Sequence, residues 1–333
     1  MRIAYRLKND EVEVLRVWSH EDCVVIPKMI DNRPVKYIAP YAFSDHMDSE
    51  ILKKEVLFFE SKDHVEDGSV LRCGGRIRKI HLPLTVCGIG NYAFYGCMNM
   101  TLFHGTDRII RMGSGVFTGC RLKEIRIDFY DGEKSCLKEI LTDIRYQIIA
   151  YLNYMDADTK KCKREQKILF PEFYADAVEN TPARIVETHY YGSGGEYREC
   201  FYRRELDFNK YDKVFALSGA RDMEKVTSAV ALMRLKYPYK LSEKSKENYT
   251  EYVRHNLIEI MGYLMDAEEE NEEFFSEIPV QMILFLCKEN LLDERSWKIL
   301  VEEAGQRQLT EILSILMNEG EKFRKKTSKR FAL

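Results

Sequence analysis

The sequence predicts an α+β chain: a solenoid of short stacked strands at the N-terminus, then an α-helical region built of helical hairpins. Three observations carry this expectation. Apolar residues over the first third recur in related segments, two of them 23 residues apart. The spacing turns helical beyond Ser135. From Glu224 onward, apolar positions three and four apart alternate with polar faces.

Residues 1–22 read as a cap. Ile3 to Leu7 and Val12 to Val17 alternate, and Lys8-Asn9-Asp10-Glu11 is polar enough to turn between them, so a β-hairpin over the first coil is expected. The clearest repeat runs Ile80-His81-Leu82-Pro83, then Val86, Ile89 and Gly90, and ends Ala93-Phe94-Tyr95-Gly96-Cys97. An earlier copy begins Ile26-Pro27, passes Val35 and Ile38, and ends Ala42-Phe43. A later one runs Met112-Gly113, Val116-Phe117-Thr118-Gly119-Cys120 into Leu122, Ile125 and Ile127.

Stretches such as Lys79 to Leu82 and Lys123 to Ile127 alternate like strands with one buried face. Gly90 and Gly113 stand where the chain turns sharply, a place for positive φ. No coil can bury its own face, so Phe43, Phe94 and Phe117 are expected to form a ladder as the repeat core. Phe43 and Phe94 are 51 residues apart, which leaves room for a degenerate or lengthened copy around Val56 to Phe59. Cys97 and Cys120 hold equivalent positions and read as packing residues.

The pattern Ile-x-Leu-Pro, Val-x-x-Ile-Gly-x-x-Ala-Phe-x-x-Cys resembles the leucine-rich repeat of the BspA (Treponema-like) type over residues 20–128. The first copy departs from it with Ala39 for glycine and Asp45-His46 where the cysteine would fall; the third lacks the Ile-x-Leu-Pro entry. The resemblance implies a solenoid that contacts other proteins. Many proteins of the family are bacterial surface proteins, but Met1 to Asp10 lacks an apolar signal-peptide core, so a cytoplasmic location is expected instead.

Leu137, Ile140, Leu141, Ile144, Ile148 and Leu152 predict one helix over the open end of the solenoid. Runs from Ala183 to Tyr191 and Glu196 to Arg203 flank Gly192-Ser193-Gly194-Gly195 and predict a hairpin turned by the glycines. Helices are expected over 224–236, 248–267, 280–289, 294–304 and 309–318, the last ones weakly resembling an ankyrin unit without its Thr-Pro-Leu-His element. The expected domains are a capped solenoid over 1–130, a helix and hairpin over 131–215, a helical repeat region over 216–320 and a basic disordered tail over 321–333.

Composition narrows the function classes. A net charge of −3 leaves no global attraction to nucleic acid or membranes, and no apolar run is long enough to span a bilayer. Nine scattered cysteines without CxxC spacing read as reduced thiols. No HExxH, GxSxG or paired metal-ligand spacing occurs, so no cofactor or metal is expected.

The densest polar group is Arg184, His189, Tyr191, Ser193, Tyr197 and Arg198, beside the glycine cluster. On one hairpin face it could bind a small anion or acidic peptide, although a plain turn is the commoner use of such glycines. His189 with Cys200 is a conceivable nucleophile pair, against the commoner reading of a buried structural cysteine. On the solenoid strands, Lys79, His81, Lys123, Glu124 and Arg126 are positioned to meet a partner. The expected function is a non-catalytic scaffold for a protein partner; the alternative is an enzyme or anion sensor using residues 184–200.

Overall fold

A computed structural model describes residues 1–46, 56–61, 68–156, 158–180 and 185–330, with the backbone alone at 177–180, 185–190 and 324–330. The chain forms two compact units, Met1–Val214 and Phe215–Leu333.

The first unit opens with β1 (Arg2–Lys8) and β2 (Glu11–Ser19), an antiparallel hairpin turned at Asn9 and Asp10, both at positive φ. The first coil holds β3 (Cys23–Val25), β4 (Met29–Ile30) and β5 (Arg33–Ile38). Next come β6 (Leu57–Glu60) and β7 (Val70–Leu71). The second coil holds β8 (Lys79–His81) and β9 (Gly88–Ile89), the third β10 (Leu102–Thr106) and β11 (Arg111–Met112). After them come β12 (Glu124–Phe129), α1 (Leu137–Asp143), β13 (Ile148–Met155) and β14 (Cys162–Phe170).

Each full coil gives one strand to each of two sheets. The first sheet has the order β11-β9-β5-β2-β1-β6, with β4 on β5 and β7 on β2; the second runs β14-β13-β12-β10-β8-β3. The coil strands pair in parallel. Between the sheets, Phe43 and Phe94 stack with centroids 5.0 Å apart, and Phe94 and Phe117 at 5.3 Å. Phe103 stands edge-on to Phe94 and Phe117. All four rings are fully buried.

In the turns that carry this ladder, backbone N–H groups point toward the following coil. Phe43 N donates to Ala93 O, Phe94 N to Val116 O, and Gly96 N to Thr118 O. The equivalent cysteine thiols point back: Cys97 Sγ donates to Phe43 O at 3.2 Å and Cys120 Sγ to Phe94 O at 3.1 Å. The first coil's carbonyls therefore have no preceding coil, and the third coil's N–H groups no full successor. Buried Arg16 in β2 donates to Tyr41, Ala42 and Ser44 O at 3.3, 3.0 and 2.6 Å. At the far end, Asp143 Oδ2 accepts from Phe117 N at 3.0 Å. Burial pushes the Asp143 carboxyl above its ordinary value, opposed by that backbone bond.

Several expectations are corrected here. Among the described residues, no extra rung separates Phe43 from Phe94, which stack directly. The intervening strands β6 and β7 pair antiparallel with β1 and β2, so these two strands widen the cap. Gly90 and Gly113 do not have positive φ. They are needed for close stacking: a Cβ on Gly90 would lie 2.4 Å from Pro40 N, and one on Gly113 2.4 Å from Asn91 N. Positive φ falls two residues later, at Tyr92 and Gly115, and at the equivalent Tyr41. The helix expected through Leu152 ends at Asp143, and Ile148 onward is β13, parallel to β12. A strand there extends the second sheet; Ile148 to Leu152 are buried, with the outward Tyr151 ring covered by Arg126 and Lys167, and Asn153 to Met155 are half-buried.

The hairpin of the middle segment is β15 (Tyr174–Asn180) with β16 (Ile185–Tyr191), one element earlier than expected. The glycine cluster instead leads into the short α2 (Gly194–Arg198). Then come β17 (Phe201–Tyr202), β18 (Glu205–Leu206) and α3 (Phe208–Arg221), within which the two units divide.

The second unit holds α4 (Glu224–Lys236), α5 (Glu243–His255), α6 (Leu257–Glu269), α7 (Pro279–Lys288), α8 (Glu294–Gln306) and α9 (Thr310–Arg330). The single helix expected over 248–267 is broken at Asn256, whose amide donates to Tyr252 O at 2.8 Å in competition with the helical bonding. The basic segment continues α9 through Arg330 where disorder is expected; Trp297 Nε1 donates to Leu316 O at 2.6 Å and its ring packs 5.8 Å from Phe323.

Removing the central rung should be costly. Phe94→Ala is expected to lower stability by about 3–5 kcal/mol, read by urea unfolding, because rings on both sides lose their neighbour. Asp143→Ala, which leaves the Phe117 N–H without its acceptor, should cost about 1–3 kcal/mol. Asp143→Asn keeps an oxygen there and should cost clearly less. It should also remove a pH-dependent contribution that, for a carboxyl raised in the fold, is full at acid pH and lost as pH rises through its folded value.

Candidate recognition face

Strand alternation gives the second sheet a buried and an outward face. Val24, Ile80, Phe103, Ile125, Ala150 and Ile168 are all buried. The outward row, aligned across six strands, is Val25, His81, His104, Arg126, Tyr151 and Lys167. It contains no acid. Carboxylates stand in the neighbouring rows, with Glu124 on one side and Asp128 and Glu165 on the other.

Side chains along this face bond from strand to strand. His81 Nδ1 lies 3.0 Å from His104 Nδ1. His104 Nε2 lies 2.9 Å from Asp128 Oδ2, and Asn153 Nδ2 donates to Asp128 Oδ1 at 2.8 Å. The Arg126 guanidinium stacks 4.5 Å above the Tyr151 ring and donates to Glu124 at 3.0 Å, and Lys167 Nζ lies 5.0 Å from the same ring.

Burial works to raise the Asp128 carboxyl, but hydrogen bonds from His104 and Asn153, with the fields of His104 and Arg126, hold it below the usual carboxylate value. His81 is pushed below the usual imidazole value, first by burial and then by His104, Arg126 and Lys79, with Asp128 opposing.

Of the strand residues singled out from sequence, Lys79, His81, Glu124 and Arg126 stand on this face, and exposed Lys123 immediately precedes β12. His104, Asp128, Tyr151 and Asn153 escaped notice. A usable signal existed: His104 follows His81 by 23 residues and Asp128 follows His104 by 24, the repeat length itself.

The polar group at residues 184–200 is dispersed. Arg184 lies outside the described residues. His189 is described by its backbone, opposite Asp176 in the β15–β16 hairpin. Tyr191 is exposed and stacks on Tyr174 at 4.5 Å. Ser193 and Tyr197 are fully buried, with Tyr197 4.4 Å from the Tyr211 ring.

Arg198 is buried too. Its Nε donates to Ile144 O at 2.9 Å, Nη1 to Pro171 O at 2.6 Å and Gly194 O at 2.9 Å, and Nη2 to Tyr146 O at 2.7 Å. Four of the five guanidinium N–H groups thus hold the protein's own carbonyls together, which takes up the donors that an anion pocket would need. Gly192 and Gly194 permit the close approach: a Cβ would lie 2.4 Å from Glu172 O and 2.1 Å from Pro171 O, respectively. Cys200 is buried, donates to Glu196 O at 3.3 Å, and burial pushes its thiol up to about 12. Such a thiol is almost wholly protonated near neutral pH, so it is a packing residue.

Among the described residues, no group of three or more His, Cys, Asp and Glu side chains could hold a metal ion, and no helix is long and apolar enough to cross a membrane. Depressions open to solvent include two among the described residues. One of about 670 Å³ follows the charged face of α5, between Glu243 and His255; the other, about 260 Å³, lies on the first sheet beside Tyr37 and Arg111.

Residues 64–145 match the family described as BspA type leucine rich repeat region (6 copies), which supports the repeat type read from the residues. No curated protein or solved structure matches the chain significantly.

Replacing His104 with Ala should move the Asp128 carboxyl up toward its ordinary value of about 3.9, read by carbon-detected NMR titration. A carboxyl held low contributes stability that is full above the unfolded value and is lost as pH falls through the folded one. The wild type should therefore lose more stability on acidification below about pH 4 than His104→Ala does, measured by urea unfolding.

Proposed function

We propose that the chain is a non-catalytic scaffold that binds a protein partner through the outward face of its second sheet. The observation that carries this reading is the acid-free row His81, His104, Arg126, Tyr151 and Lys167, held in register across five adjacent strands. Solenoids of this kind are generally protein-interaction modules, because stacked cores fix the coil while outward positions vary freely. Arg is among the side chains that most often anchor such contacts, and half-buried Arg126 is held on this face by stacking on the buried Tyr151 ring.

The nine free cysteines fit a reducing, cytoplasmic setting. The helical unit supplies a second surface of the same general use. Catalysis or anion sensing at residues 184–200 draws no support from a site whose arginine and cysteine are spent on packing.

Affinity capture of the full chain from its native cells tests this. Wild type should retain a specific partner, and Arg126→Glu and Tyr151→Ala should each reduce its recovery at least several-fold while the fold, followed by circular dichroism, is kept. Equal recovery by both variants would overturn the assignment of this face.

A further inference from the structure

Granted that this face is the recognition surface, we infer that it takes a carboxylate from an acidic, extended segment of a protein partner, and does so after the His81–His104–Asp128 chain has taken up one proton. The inference follows from which atoms can donate. A carboxylate only accepts, so the 2.9 Å contact requires a proton on His104 Nε2. Neutral His104 then has a lone pair at Nδ1. The 3.0 Å contact between the two Nδ1 atoms therefore requires the proton on His81 Nδ1. Neutral His81 is left with a lone pair at Nε2, which has no protein partner among the described residues. In this state the face presents an acceptor, which disfavours a carboxylate.

One added proton reverses that polarity. It enters at His81 Nε2, and the proton on His81 Nδ1 passes to His104 Nδ1. His104 becomes an imidazolium with two donors, one aimed at Asp128 and the other at the lone pair now on His81 Nδ1. His81 is neutral again, with its N–H at Nε2. The positive charge comes to rest beside Asp128, and His81 Nε2 has become a donor. A second proton would set two N–H groups against each other across 3.0 Å, so the one-proton state is the acid form.

The groups facing this chain favour a carboxylate. Lys79 comes from β8, Arg126, Glu124 and Asp128 from β12, and Lys167 and Glu165 from β14; β13 contributes neutral Tyr151 and Asn153, and β3 contributes Val25. Glu124 is engaged by Arg126, and Asp128 by His104 and Asn153, while exposed Glu165 stands on β14, three strands along the sheet from His104 on β10. The row itself holds imidazoles, cations and one aromatic ring. A nucleic-acid phosphate shares the acceptor chemistry, but a chain of net charge −3 lacks the electrostatic excess that phosphate backbones require.

Two measurements on the full chain test the inference at about pH 5.5 and about pH 7.5, on either side of the ordinary imidazole value. Nitrogen-15 NMR of the histidine rings should show His81 protonated at Nδ1 at the higher pH, and at Nε2 with His104 doubly protonated at the lower. A fluorescein-labelled alternating glutamate–serine peptide, followed by anisotropy, should bind about ten-fold more tightly at the lower pH, the scale of one charge-assisted hydrogen bond. His104→Gln should abolish that difference.

An unchanged His81 tautomer, or equal peptide affinity at both pH values, would overturn the gating. Tighter binding of a single-stranded oligonucleotide than of the peptide would overturn the acidic protein segment as occupant. Loss of native-partner capture in Arg126→Glu alongside pH-independent peptide binding would remove this inference and leave the recognition face standing. Intact capture in Arg126→Glu would instead remove the recognition reading itself.

Discussion

Hydrogen bonding across the aromatic turns has a direction, and the rest of the solenoid is arranged around it. N–H groups of each turn go to carbonyls of the next coil, so the first coil is left with orphan acceptors and the last with orphan donors. Buried backbone groups without partners are costly, and the chain answers each end with the opposite chemistry. Arg16 in the cap strand supplies donors to three carbonyls. Asp143 at the end of α1 supplies an acceptor to Phe117. The stack is finite because a cation closes one end and a carboxylate the other, as capping elements do in repeat proteins generally.

The same stacking builds the outward face of the second sheet. Parallel strands place residues one repeat apart side by side, so His81, His104 and Arg126 share a row because they share a repeat position. Asp128 sits two residues beyond Arg126, in the adjacent row. It reaches His104 across the strands, and Asn153 from the next strand completes its bonding. A hydrogen-bonded chain thus arises from side chains that are distant in sequence and fixed by backbone register. The aromatic ladder beneath keeps that register, since slipping one coil would separate Phe43, Phe94 and Phe117 as well.

The middle segment uses its polar residues differently. Arg198 gathers carbonyls from Ile144, Tyr146, Pro171 and Gly194, which belong to the end of α1, the segment before β13, the exit of β14 and the start of α2. A cation that ties four backbone segments together inside the fold is a fastener. Its richness in Arg, Tyr and Gly looks like a site in sequence, because composition does not distinguish a guanidinium facing solvent from one facing carbonyls.

Repeat type, the Phe43–Phe94–Phe117 ladder and the N-terminal hairpin were legible from sequence alone, because periodic burial leaves its mark on every coil. The helical character of the C-terminal third was legible for the same reason. Tertiary structure alone decided where periodicity is ambiguous or interrupted: that Ile148 to Met155 is a strand, that β6 and β7 join the cap hairpin, and that Gly90 and Gly113 serve close approach instead of positive φ. It also decided the bonding of His81, His104 and Asp128, whose 23- and 24-residue spacing is in the sequence but whose contact exists only once the strands are in register. One-dimensional spacing records which residues repeat; which atoms meet depends on how the coils are stacked.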